Sequence, residues 1–292
     1  MAGAPTTGPA TAAYSPGNLL AHLALVLGVA IFAFPIYMAF IGSTWDAGTI
    51  GRGAMPLYPG DLLFENYAQA WNSGEGERVR GTPVATMMLN SFVMALAIAV
   101  GKIAISILSA YAVVFFSFPG RMLAFWMIFV TLMLPVEVRI IPTYQVVVDL
   151  GLFDSYAGLI VPLIASATAT LLFRQFFLTI PDELVEAAKI DGAGPMRFFW
   201  DVVLPLSRTN IAALFVILFI YGWNQYLWPM LITRSKSMET IVIGITKMIG
   251  TGDAQNDWNL IMATTILAML PPVLVVIFMQ RWFVKGLVDS EK

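Results

Sequence analysis

Apolar residues run through this chain in long, nearly unbroken blocks, unlike the one-face stripes of a protein that keeps half its surface in water. Six blocks approach or exceed the length of about 20 residues that a helix needs to cross a hydrocarbon layer, where every peptide group must find its partner within the segment. They cover residues 19–41, 87–116, 122–141, 156–178, 211–231 and 260–284. The pattern predicts an all-α, polytopic membrane protein with six transmembrane helices. At about 1.5 Å per residue the second block exceeds the layer, so it is expected to tilt or protrude. The first is too long for a signal-peptide core and residues 1–17 hold no Lys or Arg, which reads as an uncleaved anchor. An even number of spans puts both termini on one side.

The segments between the blocks differ in kind. Residues 1–17 are an Ala/Pro/Thr tail with too little apolar surface to fold, and are expected to be disordered. Residues 43–84 and 232–258 read as external loops, the former with a short interfacial helix near Glu65 and Trp71. This divides the chain into the tail 1–17, a six-helix domain 18–286 with an inserted cytoplasmic loop 179–207, and a C-terminal tail 287–292. Eight Lys and Arg residues fall on the side of the termini and six on the other, with Lys102 and Arg139 inside blocks. That excess leans toward cytoplasmic termini under the positive-inside rule.

Composition narrows the function classes. Of 292 residues 59% are hydrophobic and 12% charged, about half the charged share of an ordinary soluble domain. A net charge of -2 gives no electrostatic case for a nucleic-acid partner. With no cysteine there is no disulfide, thiolate metal site or cysteine nucleophile, and the single histidine, His22, cannot build a histidine-rich metal site. No Gly-x-x-x-x-Gly-Lys-Ser/Thr loop is present to cradle phosphates, so any ATP chemistry belongs to another chain. Nothing here reads as an enzyme, and His22 is expected to pack or to sit at the interface.

Loop 179–207 is too charged to lie in lipid and too apolar for a simple linker. Asp182 and Glu183 open a run of helix formers, with acids facing the positive helix end. Gly192 stops that run in the manner of a helix C-cap. Pro195 starts a second short helix, and Leu204-Pro205 leads into the fifth block. The prediction is helix, glycine turn, helix, with Leu184, Ile190, Phe198 and Phe199 available to a partner.

The run Glu186-Ala187-Ala188, then Asp191-Gly192, then Val202, Leu204 and Pro205, resembles the cytoplasmic EAA loop of binding-protein-dependent ABC importer permeases. Its place between the fourth and fifth of six spans is also as in that family; valine at 202 instead of the usual isoleucine is a slight departure. Asn90-Ser91, Ser109-Ala-Tyr-Ala112, Pro135, Pro142, Gly222-Trp-Asn-Gln-Tyr226 and Trp228-Pro229 extend the resemblance to the second permease of maltose-type carbohydrate importers. More narrowly, runs at 132–139, 155–158, 220–229 and 286–292 are similar to permeases of sn-glycerol-3-phosphate importers. The resemblance implies a type I importer permease fold in the inner membrane. It also implies a second permease subunit, two copies of an ATPase that uses ATP and Mg, and an external solute-binding protein, with no cofactor on this chain. Glu186, Ala187, Ala188, Asp191, Gly192, Leu204 and Pro205 would couple to the ATPase, the two alanines being small because the helix packs close to it. In this family the C-terminal tail reaches the ATPase interface; a merely solvated tail is the alternative.

Polar groups inside spans are costly and mark candidate solute paths. Arg139 is the leading cation for an anionic phosphate ester; snorkelling, or pairing with Glu137, is its alternative. Lys102 is long enough to snorkel toward the inner face. Asn90, Asn224, Gln225 and Tyr226 offer amides and a hydroxyl for a polyol, with Trp223 and Trp228 stacking or anchoring at the outer interface. Two readings stay open beside the phosphate ester: a neutral sugar or polyol importer of the same family, and a secondary transporter.

Overall fold

The computed structural model describes residues 16–53, 55–76, 80–131, 134, 136–249 and 256–288. Tails 1–15 and 289–292 lie outside these, as do the side chains of Pro135 and Glu137. Among the described residues the chain is helical, its β pairing confined to the bridge between Glu75 and Arg80. In order the helices are α1 (Pro16–Gly42), α2 (Ala47–Gly51), α3 (Leu63–Asn72), α4 (Val84–Phe115), α5 (Arg121–Val130), α6 (Val136–Asp149), α7 (Tyr156–Ile160) and α8 (Ala167–Phe177). They continue as α9 (Asp182–Ile190), α10 (Pro195–Phe198), α11 (Leu204–Leu206), α12 (Arg208–Trp223), α13 (Leu227–Ile232), α14 (Ile241–Met248) and α15 (Trp258–Val288).

Among the described residues three helices are long and apolar enough to cross a membrane unbroken: Leu19–Gly42, Val84–Phe115 and Trp258–Gln280. Two further helix pairs are apolar enough to cross only if each bent pair is taken as one span: Tyr156–Leu163 with Ala167–Phe177, bent by 45°, and Pro195–Leu206 with Arg208–Trp223, bent by 71°. The expected third span, 122–141, is instead divided between the ten residues of α5 and the fourteen of α6. The expected fifth span also divides, because α12 closes at Asn224 and α13 starts at Leu227. Pro162 and Ser166 account for the bend between α7 and α8. The proline supports only a 3-10 turn, and Ser166 restarts the helix by accepting from the Ala169 N–H with its Oγ.

Helix α4 is the central post. It packs against α8 and α12, while α12 also packs against α15. Their meeting surface holds Met87, Ala95 and Ala99 of α4, Phe173 and Phe177 of α8, and Phe219 and Trp223 of α12, all buried. Close approach is possible because Gly222 has no side chain: a Cβ there would lie 2.8 Å from the Ala95 Cα. Phe215, Phe219 and Trp223 stack at successive centroid distances of 6.0 and 6.0 Å down one side of α12. By contrast, α1 leaves nearly all its large apolar side chains exposed, Phe32 at 82%. A surface of that size demands lipid or another helix.

Polar ties close the two ends of α4. At its start, Asn90 donates to the Ser237 and Glu239 carbonyls, 2.8 Å each, and accepts from Tyr156 through Oδ1. There Glu239 also accepts from Thr82 and from Lys247 Nζ at 2.6 Å. Asn66, on α3, donates to the Ser43 and Trp45 carbonyls and accepts from Asn259 of α15. Next to this end, Asp154 adopts φ 53°, a left-handed conformation that aspartate tolerates better than most residues. Its Oδ1 accepts from the Arg234 and Ser235 backbone N–H groups, pinning the α6–α7 connection to the segment after α13. At the far end of α4, the Tyr111 hydroxyl donates to the Pro195 carbonyl at 2.7 Å. The described parts of loops 43–82 and 233–257 therefore lie at one end of the post, and 179–207 at the other.

Candidate functional site: a two-cation cavity and an exposed loop helix

Two features stand out, one within the bundle and one at its end. The first is an open cavity of about 130 Å³ where the broken helices meet. It lies between the middle of α4, the first turns of α6, the 3-10 turn of residues 161–163, and the α12–α13 break. Interrupted backbone at membrane depth is tolerated where it borders such a cavity, because its freed polar groups are not left facing lipid. The volume is small beside the roughly 300–1,000 Å³ of a drug-sized pocket, which suits a small solute.

Lys102 and Arg139 both line this cavity, with Thr143, Tyr221 and Gln225 as its other polar side chains. No carboxylate appears among its described lining residues, and neither cation has a described ion-pair partner. Lys102 does not snorkel away. It is 7% exposed, with Nζ 3.8 Å from the centroid of the Tyr221 ring. The negative face of a tyrosine ring offsets part of the cost of a desolvated ammonium, by about 2 kcal/mol in favourable cases. Arg139 and Thr143 stand one turn apart on α6 and so share a face. The Thr143 hydroxyl donates to the Arg139 carbonyl at 2.8 Å, in the turn that Pro142 interrupts. Gln225 donates through Nε2 to the Tyr221 carbonyl at 3.2 Å, one turn back.

The cavity brings together only some of the residues singled out by sequence. Arg139 and Gln225 line it. Asn90 does not: it is 1% exposed and its amide is spent on tying α4 to the segment before α14. Asn224 is exposed at the end of α12, and Tyr226 is 40% exposed outside the lining. The Glu137 side chain lies outside the described residues. Trp223 and Trp228 are not interfacial anchors. Their indole N–H groups donate at 3.1 Å to the buried carbonyls of Ala268 and Gly158 respectively. Tyr221 escaped sequence reasoning, although its place one helical turn before Gln225 was a usable signal.

The second feature is the helix pair of loop 179–207. Helix α9 spans Asp182–Ile190, with Asp182 and Glu183 in its first turn and Lys189 in its last, each suited to the helix dipole. It ends at Gly192, φ 72°, where the Ala193 N–H reaches back to the Ala188 carbonyl and the Gly192 N–H to Lys189. Glu186, Ala187, Asp191 and Gly192 are exposed. Ala188 is half-buried, and with Val185 it packs partly on the chain's own core. Leu204 also packs on the core, and Pro205 lies near the end of the segment Pro195–Leu206 that bends into α12.

Phe198 and Phe199 are likewise buried, against the expectation that a partner would meet them. After α10 the chain continues as a π-helical turn over Phe199–Val203, which rotates these rings inward. Phe198 then meets Phe115 edge-on at 5.4 Å, and Phe199 lies 5.0 Å from Tyr111. The large apolar residues left outward are Ile190 at 85%, Trp200 at 60%, Met196 at 55%, Leu206 at 47% and Leu184 at 40% exposed, beside the Arg197–Asp201 ion pair; Leu184 and Ile190 thus face out as expected.

Comparison with known proteins agrees with this architecture. Residues 102–289 match the family described as binding-protein-dependent transport system inner membrane component. The chain is 63% identical, over 94% of its length and 97% of the relative's, to the sn-glycerol-3-phosphate transport system permease protein UgpE of Rhizobium meliloti (strain 1021). With the protein of the same name from Agrobacterium fabrum (strain C58 / ATCC 33970) it shares 65% identity over the same fractions. The fold is similar to a chain in the crystal structure of a bacterial ABC transporter involved in the import of the acidic polysaccharide alginate. That match has a TM-score of 0.77 at 22% identity, and covers 92% of this chain and 99% of the other. A bundle of broken apolar helices with an exposed loop helix at one end, and identity of this extent, make the chain a member of the binding-protein-dependent ABC importer permeases, of the carbohydrate type.

Proposed function

We propose that this chain is a transmembrane subunit through which such an importer moves sn-glycerol 3-phosphate, or related glycerophosphodiesters, into the cell. The observation that carries the cargo is identity above 60% across nearly the whole chain with relatives named for that solute. The cation-lined cavity supports an anionic solute over the neutral sugar or polyol, with Arg139 and Gln225 as path residues.

In this reading the chain pairs with a second permease, receives solute from an external binding protein, and is driven by two copies of a separate ATPase that uses ATP and Mg. It hydrolyses nothing and holds no cofactor itself. Loop 179–207 and both termini face the cytoplasm. The exposed side of α9, with Glu186, Ala187, Asp191 and the cap at Gly192, meets the ATPase together with Ile190, Met196 and Trp200. Leu204 and Pro205 act from behind, by setting the bend through which a push on α9 and α10 enters α12.

The test is reconstitution of the chain with its partner permease, ATPase and binding protein in lipid vesicles. Glycerol 3-phosphate is expected to stimulate ATP hydrolysis and to accumulate inside, and maltose is expected to do neither. Stimulation by the sugar alone would overturn the cargo assignment.

A further inference from the structure

The cavity holds a feature that permeation alone does not require. Two cations face it without a described counter-charge, one of them nearly buried and seated on an aromatic ring. Like charges sharing a poorly solvated space repel, and a buried cation is retained against that cost where it does something. A lysine free to follow its own solvation would extend its stem to water. Here Lys102 is instead held at the cavity wall, because the Tyr221 ring offers the ammonium a better seat than the apolar side chains around it. The ring leaves the ammonium's three N–H donors to be shared with whatever enters. Arg139 adds a planar fork of donors from α6, the geometry that suits a tetrahedral oxyanion.

Resting on the reading of this chain as a phosphate-ester permease, we infer that Lys102 and Arg139 together form a transit site for the phosphoryl group, with Tyr221 as the positioning residue that keeps Lys102 aimed at it. Gln225 and Thr143, on the same cavity, are placed to meet the hydroxyl end of the solute. The site lies on this subunit, at mid-height of α4. It selects against neutral polyols, which leave both cations unpaired.

The experiment uses the complete reconstituted transporter and measures uptake of labelled glycerol 3-phosphate at saturating binding protein, each variant being checked for assembly by size exclusion. Removing one charge-assisted contact is expected to lower uptake about ten- to hundredfold in Lys102→Gln and in Arg139→Gln. Arg139→Lys should recover part of the loss. Tyr221→Phe, which keeps the ring, should retain uptake, whereas Tyr221→Leu should fall with Lys102→Gln. A role in packing alone predicts no rescue by lysine at 139, and a Tyr221→Leu defect that adds to that of Lys102→Gln in the double variant instead of being masked by it. If the unaltered transporter takes up no glycerol 3-phosphate, the cargo reading fails and the site falls with it. If it does, and the assembled charge variants match it, only the site is overturned. A defect seen with phosphatidylglycerol vesicles but not with phosphatidylcholine alone would assign the cations to a lipid headgroup and likewise overturn it.

Discussion

Replacement of Gly192 isolates how the α9 cap works. The residue sits at φ 72°, in the left-handed region, and an added Cβ would meet nothing within 4 Å. The penalty for a side chain is therefore conformational and not steric, about 1–2 kcal/mol for an L residue held in that region. If only the capped loop docks, a cost of that size lowers the docking-competent fraction about 5- to 30-fold and raises the apparent dissociation constant of the ATPase by the same factor. Since the direction of the penalty does not depend on bulk, Gly192→Ala and Gly192→Leu should weaken binding alike. Gly192→Asn, which tolerates the left-handed region, should lie near the parent. The assay is titration of purified ATPase against the permease pair in lipid nanodiscs, with solute moved per ATP hydrolysed as the second readout. Binding by Gly192→Ala equal to the parent would refute a required left-handed cap. A leucine variant far weaker than the alanine variant would show instead that position 192 itself touches the partner.

Two further outcomes follow from the packing. Gly222→Val should cost about 1–3 kcal/mol or more, since its Cβ would lie 2.8 Å from the Ala95 Cα and α4 and α12 would have to part. A thermal midpoint in detergent equal to the parent's would refute that contact. The Asp154 carboxyl is held below its ordinary value of 3.8, chiefly by the Arg234 backbone N–H it accepts from, opposed by slight burial. A depressed acid contributes its stability above the unfolded value and loses it as pH falls through the folded one. Amide exchange at Arg234 and Ser235 should therefore carry a full, pH-independent contribution from this carboxyl between about pH 5 and 8, and should lose that protection only below 3.8. An Asp154→Ala variant with parent-like protection at neutral pH would contradict the clamp.

Much of this was legible in order along the chain. Membrane class, helical content and the α9–Gly192 stop follow from local rules: block length, helix formers after Asp182, and the one residue type that turns left-handed without strain. Those rules act within a few residues, so reading them requires no fold. They do not say which side of a short helix is covered. Phe198 and Phe199 were expected outside and are inside, because a π-helical turn and the rings of Phe115 and Tyr111, more than 80 positions away, set their direction. Ala188 is half-buried against the chain's own core, which the local sequence did not show.

The polar groups within the spans divide on the same principle. Sequence alone marked Lys102, Arg139, Asn90 and Gln225 as costly in lipid, which is a property of the side chain. Which of them would be satisfied by neighbours was decided by long-range packing. Among the described residues Asn90 found two carbonyls and a hydroxyl, Lys102 the face of Tyr221, and Arg139 no acid. Hydrophobicity sets what must leave water; only the tertiary arrangement of α4, α6 and α12 decides which charges remain facing an open cavity.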